Sequence, residues 1–587
     1  LPEPAMPLSQ KRLLFNETHT ASANRLYRLD EEKQLRFQLG YIHDRTTRQY
    51  GSEEIYYFVQ DTVHTATNRH DRLKTDCLNA EVNYEDNTVS RYTRENFSFA
   101  GTWKSGVSDI TGDNAIFQKI KNSQWELKNY FNQLYTKEKY TWGIRLYIRY
   151  THCPASLTVA HRNLPILFAD NMLIANCIYH RNELSSPDNI SENTYRTVIG
   201  QTHESILAEY EEMNTGNAYT DNVLYGMRKI NGVNYQLTGG FCGELSSVKQ
   251  ENAYSAHSYS FYTVPRIEWE RNDFLFTAAT TVRWSHLPKQ SYSRFCVSPF
   301  FCFRYKFTPR WKMSLLGSLD ESEGGLKDIY PFRYREDYRT VVKHTGKVPV
   351  TVRQLYTCYL EYKNTIKEFF WTLSASYSHN RYNLITERNY KDGNFYLSSV
   401  ERNHSSHSYT LNTIGSKGIY DWNLKTSLEL TLARNEGKQL NEGIVQDYRY
   451  DYLCIEPKIV WAPSVFFEAE YKATVSCVGG GIGEDTSLDP LWEVAQRLTL
   501  SLEFHDTEFR LSGEHFYNDL SKNQHLNIWL ADVSLIHKVG KWRFAASAIN
   551  LFNKEQYRYT LYSAVQSYTS WIKLRPREFM VSVQYQW

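Results

Sequence analysis

The chain lacks long apolar segments. None of its 587 residues belongs to a run that approaches about 18 consecutive apolar residues, the length that a membrane-spanning helix requires. This absence excludes a protein that crosses a membrane with helices. A transmembrane β-barrel stays possible, because only every second residue of a barrel strand faces lipid.

Cysteines are also sparse. The nine cysteines are scattered, odd in number and without a C-x-x-C pair. Structural zinc sites and disulfide frameworks need closely spaced or paired cysteines, so the sequence favours neither. The first residues, Leu1-Pro2-Glu3-Pro4, show no basic start and no apolar run of the kind found in signal peptides. A processed secreted protein and the later part of a longer chain would both begin in this way.

An excess of one charge is missing as well. Lysine and arginine number 67 against 65 acidic residues, which gives no argument for a nucleic-acid partner. No nucleophile elbow, P-loop or H-E-x-x-H motif occurs. The glycine-rich segment 478–483 departs from G-x-G-x-x-G because Glu484 follows it, and His404 and His407 have no acidic partner at a fixed spacing. We therefore expect no enzyme activity, no cofactor and no metal site.

What the chain does contain is a repeated alternation of apolar and polar residues. The last eleven residues alternate strictly and place five apolar or aromatic residues on one face, Phe579, Val581, Val583, Tyr585 and Trp587. A strand of about ten residues with one apolar and one polar face is the unit of a transmembrane barrel. Similar stripes occur at 142–150, 274–284, 369–377, 422–432 and 498–504. We interpret the last strand as the one that closes the ring; the alternative is a terminal strand of a soluble sandwich.

The connections between stripes are of two kinds. Eleven are tight and polar, near residues 30–33, 85–87, 136–139, 230–233, 270–273, 308–310, 364–367, 417–420, 462–464, 505–507 and 539–541. The others are long and rich in tyrosine, at roughly 47–72, 104–122, 152–216, 318–351, 379–404, 434–446 and 477–491. This sorting predicts an all-β fold, a large transmembrane antiparallel β-barrel of about 22 strands with short periplasmic turns and long extracellular loops. The first clear strand, 21–29, should then run inward, so we expect an opening strand before it.

The end of the sequence resembles the TonB-dependent outer-membrane receptors. That family ends with an N-x-F-N element, a loop, an "RPRxF" strand and a terminal aromatic, and the matching positions are Asn550, Phe552, Asn553, Arg575, Pro576 and Arg577. Segments 12–16 and 24–27 are similar to the early barrel of receptors from the Bacteroidetes group. The resemblance implies the outer membrane of a Gram-negative bacterium and import of a bulky nutrient such as a glycan, peptide or metal chelate.

The chain departs from the family at its beginning. Family members carry a plug domain with a short box that binds the energising protein, and nothing in the first residues resembles it. We expect a lead-in segment at 1–18 and a transmembrane barrel at 19–587. The implied partners are outer-membrane lipid, a plug segment, a TonB-type energising protein and a surface lipoprotein or other complex subunits. Two alternatives stay open: a plugless barrel that is a structural or assembly subunit, and a soluble all-β binding protein.

The membrane interpretation makes a direct prediction. Because the outward stripes would be embedded in hydrocarbon, the protein should stay in the membrane fraction through salt and alkaline carbonate washes and dissolve only in detergent. Fractionation followed by immunoblotting measures this. Release by carbonate alone would favour the soluble binding protein.

Overall fold

The structure is a computed structural model. It describes Leu8, residues 12–13, 15–57, 62–112, 115–161, 208–250, 253–391, 393–483, 486–520, 524–562 and 566–585. Within these ranges the chain forms 27 strands of a single sheet and short 3₁₀ turns at Pro288–Gln290, Leu326–Ile329 and Tyr420–Trp422. No helix in these ranges has the length and apolar character to cross a membrane.

The strands are numbered in chain order. Their bounds are β1 Phe15–Arg28, β2 Lys33–Tyr57, β3 Thr62–Asn87, β4 Arg91–Gly112, β5 Ile116–Lys137, β6 Tyr140–His161, β7 Ala208–Ile230, β8 Val233–Lys249, β9 Ala253–Arg271, β10 Phe274–Leu287, β11 Tyr292–Thr308, β12 Trp311–Glu323, β13 Tyr334–Arg335, β14 Thr340–Lys343, β15 Val350–Asn364, β16 Phe369–Lys391, β17 Asn394–Ile419, β18 Leu424–Asn441, β19 Ile444–Ser464, β20 Phe467–Ile482, β21 Thr486–Phe504, β22 Thr507–Leu520, β23 Gln524–Val539, β24 Trp542–Ile549, β25 Gln556–Tyr562, β26 Gln566–Lys573 and β27 Glu578–Tyr585.

The wall of the molecule is an antiparallel meander. Among the described residues it contains 23 strands, β1–β12, β15–β24 and β27, and each pairs with the next along the chain. The other four strands lie in the connections 324–349 and 550–577. The fold is therefore the predicted all-β barrel, and the expectation of about 22 strands corresponds to the wall.

The eleven predicted tight turns coincide with, or adjoin, connections at one end of the wall. Asn231 and Gly232 illustrate why the chain reverses there. Both have positive φ, 49° and 82°, which a two-residue hairpin turn requires and which asparagine and glycine tolerate. We call this the turn end and the opposite one the loop end.

Among the described residues, strand pairing joins the first and last parts of the wall at the loop end only. At the loop end, β26 pairs with Tyr50–Tyr56 of β2, and the Arg575 N–H donates to the Arg12 carbonyl oxygen at 2.8 Å. Below this point β1 pairs with β2 and β27 with β24, and both run toward the turn end. Phe579 and Val581 of β27 are 77% and 80% exposed. Trp587 lies outside the described residues, and the ring-closing role of this strand stays a prediction.

Alternation sorts the side chains between an outer and an inner face. On β18, Leu428 and Leu432 point outward and are exposed, whereas Glu429 and Thr431 point inward. The Asn412 side-chain amide of β17 donates to both inward oxygens, at 2.8 and 2.9 Å. The outer face is therefore apolar and the inner face is a hydrogen-bonded polar lining.

The prediction of long loops is wrong for most of the segments concerned, because they form strands. Segments 47–72, 379–404 and 434–446 continue as paired strands, with only residues 58–61, 392–393 and 442–443 between β2 and β3, β16 and β17, and β18 and β19. The apolar stripe ends well before the hairpin does, so the extension is polar on both faces and loses its sequence signature. Segment 318–351 does contain a long connection, and most of 152–216 lies outside the described residues.

Close strand packing leaves no room for a side chain at some glycines of the wall, as Gly480 shows. A Cβ on Gly480 of β20 would overlap the carbonyl oxygen of Arg449 on the neighbouring strand, whereas a Cβ on Gly40 of β2 would meet nothing within 4 Å. Gly480→Ala should destabilise the barrel by roughly 1–3 kcal/mol, the cost of overpacking. Gly40→Ala, the matched control, should be neutral or slightly stabilising. The temperature at which the folded band disappears in a semi-native gel measures both; equal temperatures would contradict the packing.

Candidate functional site

The mouth of the barrel at the loop end is covered by residues 324–349, which we call the cap loop. Its base is closed by a hydrogen bond from the Gly324 N–H to the Pro349 carbonyl oxygen, at 2.8 Å. Ile329 and Tyr330 are buried against Tyr254 and Leu287 on the inner face of β9 and β10. The cap loop therefore folds into the ring.

The cap loop crosses to the β16–β17 hairpin. Strand β14 pairs in parallel with Phe395–Ser398 at the loop end of β17. Just before it, the Asp337 carboxylate accepts the backbone N–H groups of Arg339 and Thr340, each at 2.8 Å. Such an aspartate turn reverses the chain without a glycine. It leaves the Arg339 side chain directed at the wall formed by β2 and β3.

Arg339 fastens the cap loop to that wall. Its Nη2 donates to Oε2 of Glu54 at 2.5 Å and its Nη1 to the Thr65 hydroxyl at 3.0 Å. The side chains of Arg339 and Glu54 are only 15% and 8% exposed. Tyr56 also donates to Glu54 and stacks on Phe395 with ring centroids 4.4 Å apart. We call Arg339, Glu54, Tyr56 and Thr65 the latch.

Neighbouring contacts extend the latch around the mouth. Tyr338 packs against the buried side chains of Ile110 on β4 and Ile116 on β5. The guanidinium of Arg69 lies over the Tyr338 ring, 6.0 Å from its centroid. Burial raises the pKa of the Tyr338 phenol, which is therefore neutral at physiological pH. The Arg335 N–H donates to the Glu211 carboxylate of β7 at 2.9 Å. The cap loop is thus held from several sides.

A second connection, 550–577, also folds inward; we call it the terminal loop. Its hairpin, β25–β26, covers the inner face of β22 and β23, where Tyr557 is fully buried beside Phe516 and Leu530. The Tyr557 hydroxyl accepts from the Asn518 amide at 2.7 Å. Two connections therefore fill much of the mouth from within.

The predicted family motif lies at the base of the terminal loop. Asn550 is buried, and its amide nitrogen donates to the carbonyl oxygens of Lys554 and Arg575 at 2.9 and 2.7 Å. The Asn553 side chain accepts the Arg577 N–H at 2.9 Å. Both asparagines have positive φ, 53° and 49°. These hydrogen bonds join the two ends of the terminal loop at its base.

The remaining motif residues are less enclosed. Phe552 is 56% exposed, Arg575 pairs with Glu578 at 2.7 Å, and Pro576 lies two residues before the start of β27. The motif is thus gathered in one place, away from the latch. Its observed contacts hold the terminal loop in position.

Arg12 ties the start of the chain to the same region. Its guanidinium bonds Glu514 at 2.6 Å and Asp532 at 3.0 Å, and Asp532 also accepts the Asn550 N–H at 3.0 Å. Sequence reasoning missed this network and the latch. A usable signal was present: Glu514 occupies an inward position beside Phe516, and a carboxylate among apolar residues requires a partner.

The inner wall itself is largely self-paired. Arg145 lies 3.5 Å from Asp221, Arg149 lies over Tyr219 at 5.4 Å, and Glu429 accepts from Asn412. In the part of the chain that the structure describes, no group of three or more His, Cys, Asp or Glu residues is arranged to hold a metal ion.

Solved structures similar to this chain include an outer-membrane transporter, a ferric enterobactin receptor and a copper transporter. The transporter YddB from Escherichia coli is 10% identical, with 96% of this chain and 76% of that chain covered and a TM-score of 0.49. A variant of the ferric enterobactin receptor PfeA from Pseudomonas aeruginosa is 11% identical, with 95% and 80% covered and a TM-score of 0.45. The copper transporter OprC is 8% identical, with 97% and 84% covered and a TM-score of 0.44. No family model and no curated protein matches the chain.

The latch predicts how the cap loop responds to mutation. Arg339→Gln leaves Glu54 buried without its cation, a loss of roughly 3–5 kcal/mol for a buried pair. The cap loop should then exchange amide hydrogens at least tenfold faster at 329–343. Lys347→Gln, in the same loop, removes an exposed pair with Glu401 (63% and 62% exposed) and should change nothing measurable. Equal exchange in the two variants would show that the latch does not hold the cap loop.

Proposed function

We propose that the chain is the barrel of a TonB-dependent outer-membrane receptor that binds and imports a bulky nutrient together with a plug. The observation that carries this proposal is a wide polar lumen whose mouth is covered by its own loops. Wall strands with one apolar face support a membrane setting. The nutrient classes that suit this design are a glycan, a peptide or a metal chelate.

The outward stripe has the dimensions of a membrane span. From Phe274 to Trp284, the outward stripe of β10, the chain advances ten residues, about 34 Å along a strand at ~3.4 Å per residue. At a tilt of about 40° this gives roughly 26 Å of height, close to the apolar band of outer-membrane barrels. The turn end then faces the periplasm and the loop end the exterior of a Gram-negative cell.

The covered mouth favours a receptor over an open pore. A ring of more than 20 strands is too wide for the side chains of its wall to fill. The cap loop and the terminal loop close its outer end through buried contacts, so a large solute must displace them to enter. Such a barrel needs a plug against leakage and an energy source to move it, and we assign a plug segment and a TonB-type protein to these roles.

A second candidate is a structural subunit of an outer-membrane complex, with a surface lipoprotein among its partners. The buried latch supports it, because a cap loop fixed on several sides serves equally well as a permanent closure. The two candidates differ in whether a small molecule releases the cap loop.

Ligand-dependent hydrogen exchange of the cap loop tests the proposal. The full protein in detergent is exposed to pools of oligosaccharides, peptides and iron chelates, and amide exchange at 329–343 is followed by mass spectrometry. If the protein is a receptor, one pool should change the rate of amide exchange at 329–343. The Asn553→Ala variant, whose substitution lies far from the latch, should show the same change. If no pool alters exchange and a lipoprotein purifies with the barrel in stoichiometric amount, the structural subunit is the correct function.

A further inference from the structure

The outer face carries an ordered pattern across β12 and β15–β20. Strand register aligns Gly317, Tyr356, Tyr377, Tyr409, Arg434, Asp451 and Gly479 in one row. Tyr377 lies 5.1 Å from Tyr409 and 6.5 Å from Tyr356, measured between ring centroids. We call these residues the tyrosine row. Tyrosines prefer the boundary between hydrocarbon and water, so the row marks the outer membrane interface.

A groove lies below the tyrosine row, toward the turn end. The adjacent row of outward residues is apolar and includes two small side chains, Cys358 and Ala375, flanked by Leu315 and Leu411. The short side chains between longer ones leave a depression of about 1110 Å³. This volume is at the upper end for ligand pockets. Its lining is the kind of surface that acyl chains cover.

Charge is concentrated at the upper lip of the groove. Among the residues that the structure describes, three charged ones line the groove: Arg434, Arg449 and Asp451. Asp451 bonds Nε of Arg434 at 2.6 Å and Nε of Arg449 at 3.1 Å, so one carboxylate serves two guanidinium groups. No Nη hydrogen bond of either arginine occurs among the described residues, and both side chains are about half exposed, at 49% and 54%.

Further polar groups continue above this lip. His379 and His407 stack with centroids 4.5 Å apart, and Arg381 follows on the same face of β16. Lys438 and Asp447 form a pair at 2.7 Å beside a smaller depression of about 500 Å³. The groove is therefore apolar below, cationic at its lip and polar above.

We propose that this groove binds lipid A, the phosphorylated glycolipid of the outer leaflet. Its acyl chains would cover the apolar row, and a phosphate would take the Nη groups of Arg434 and Arg449, whose planar forks suit phosphate oxygens. The tyrosine row sets the depth at which sugar and phosphate meet the wall. This inference rests on the proposed function, because it places the loop end in the outer leaflet.

Charge and geometry together favour this occupant over a second protein. A protein partner would cover the apolar row but would leave two guanidinium forks without an anion, unless it supplied one inside the membrane. Basic side chains near a membrane surface attract anionic lipid, and the effect of two arginines multiplies to roughly thirtyfold in affinity. The shared Asp451 lowers the net positive charge of the lip to one.

Native mass spectrometry of the full protein in detergent tests the proposal with purified lipid A as the probe. Wild type should hold one lipid A. Arg434→Gln with Arg449→Gln should weaken binding roughly thirtyfold. Asp451→Asn removes the shared carboxylate and raises the net charge of the lip from one to two, so it should tighten binding. Arg45→Gln, an exposed outward arginine on β2, should bind as wild type does. Semi-native gels confirm that each variant is folded.

Several results would overturn the proposal. The first two are unchanged lipid A binding by the double arginine variant and weaker binding by Asp451→Asn. The third is that dephosphorylated lipid A or phosphatidylglycerol binds as tightly as lipid A does. The fourth is a stoichiometric protein on this face in place of lipid. A different experiment tests the proposed function itself. If the chain is released by carbonate, the receptor barrel is wrong; if it stays in the outer membrane but ignores lipid A, only the groove assignment is wrong.

Discussion

The structure depends on strand-to-strand hydrogen bonding around a ring. A backbone N–H or C=O that is shielded from water needs a hydrogen-bond partner, and in a barrel wall the neighbouring strand supplies it. Each of the 23 wall strands pairs with the next along the chain, which places every residue on either the outer or the inner face. The apolar outer surface, the polar lining and the positions of the loops all follow from that pairing.

The inner face is more than a polar lining. At the loop end it carries buried apolar and acidic positions that receive the cap loop, the terminal loop and Arg12. A buried carboxylate is costly without a cation, so Glu54 and Glu514 each define where an arginine has to be. These ion pairs hold loops across the mouth of the barrel and so cover it.

Much of the wall was predictable because its determinants are local. Alternation within ten residues reveals a strand and its outward face, and polar pairs such as Asn231-Gly232 reveal a tight turn. The long loops were mostly wrong for a related reason. Where a hairpin rises beyond the membrane, both faces are polar, so segments such as 47–72 lose the alternation even though their backbones stay paired.

The sequence alone determined which residues of the apolar stripes face outward and where the chain turns. The tertiary structure decided everything that requires distant residues to meet. Arg339 and Glu54 are separated by 285 residues, and Arg12 and Glu514 by 502. The tyrosine row and its groove exist only because the register of seven strands aligns them. The alternation of apolar and polar side chains can be read within a single strand. Contacts between distant strands form only when the sheet curves into a ring, and no short segment of sequence specifies that.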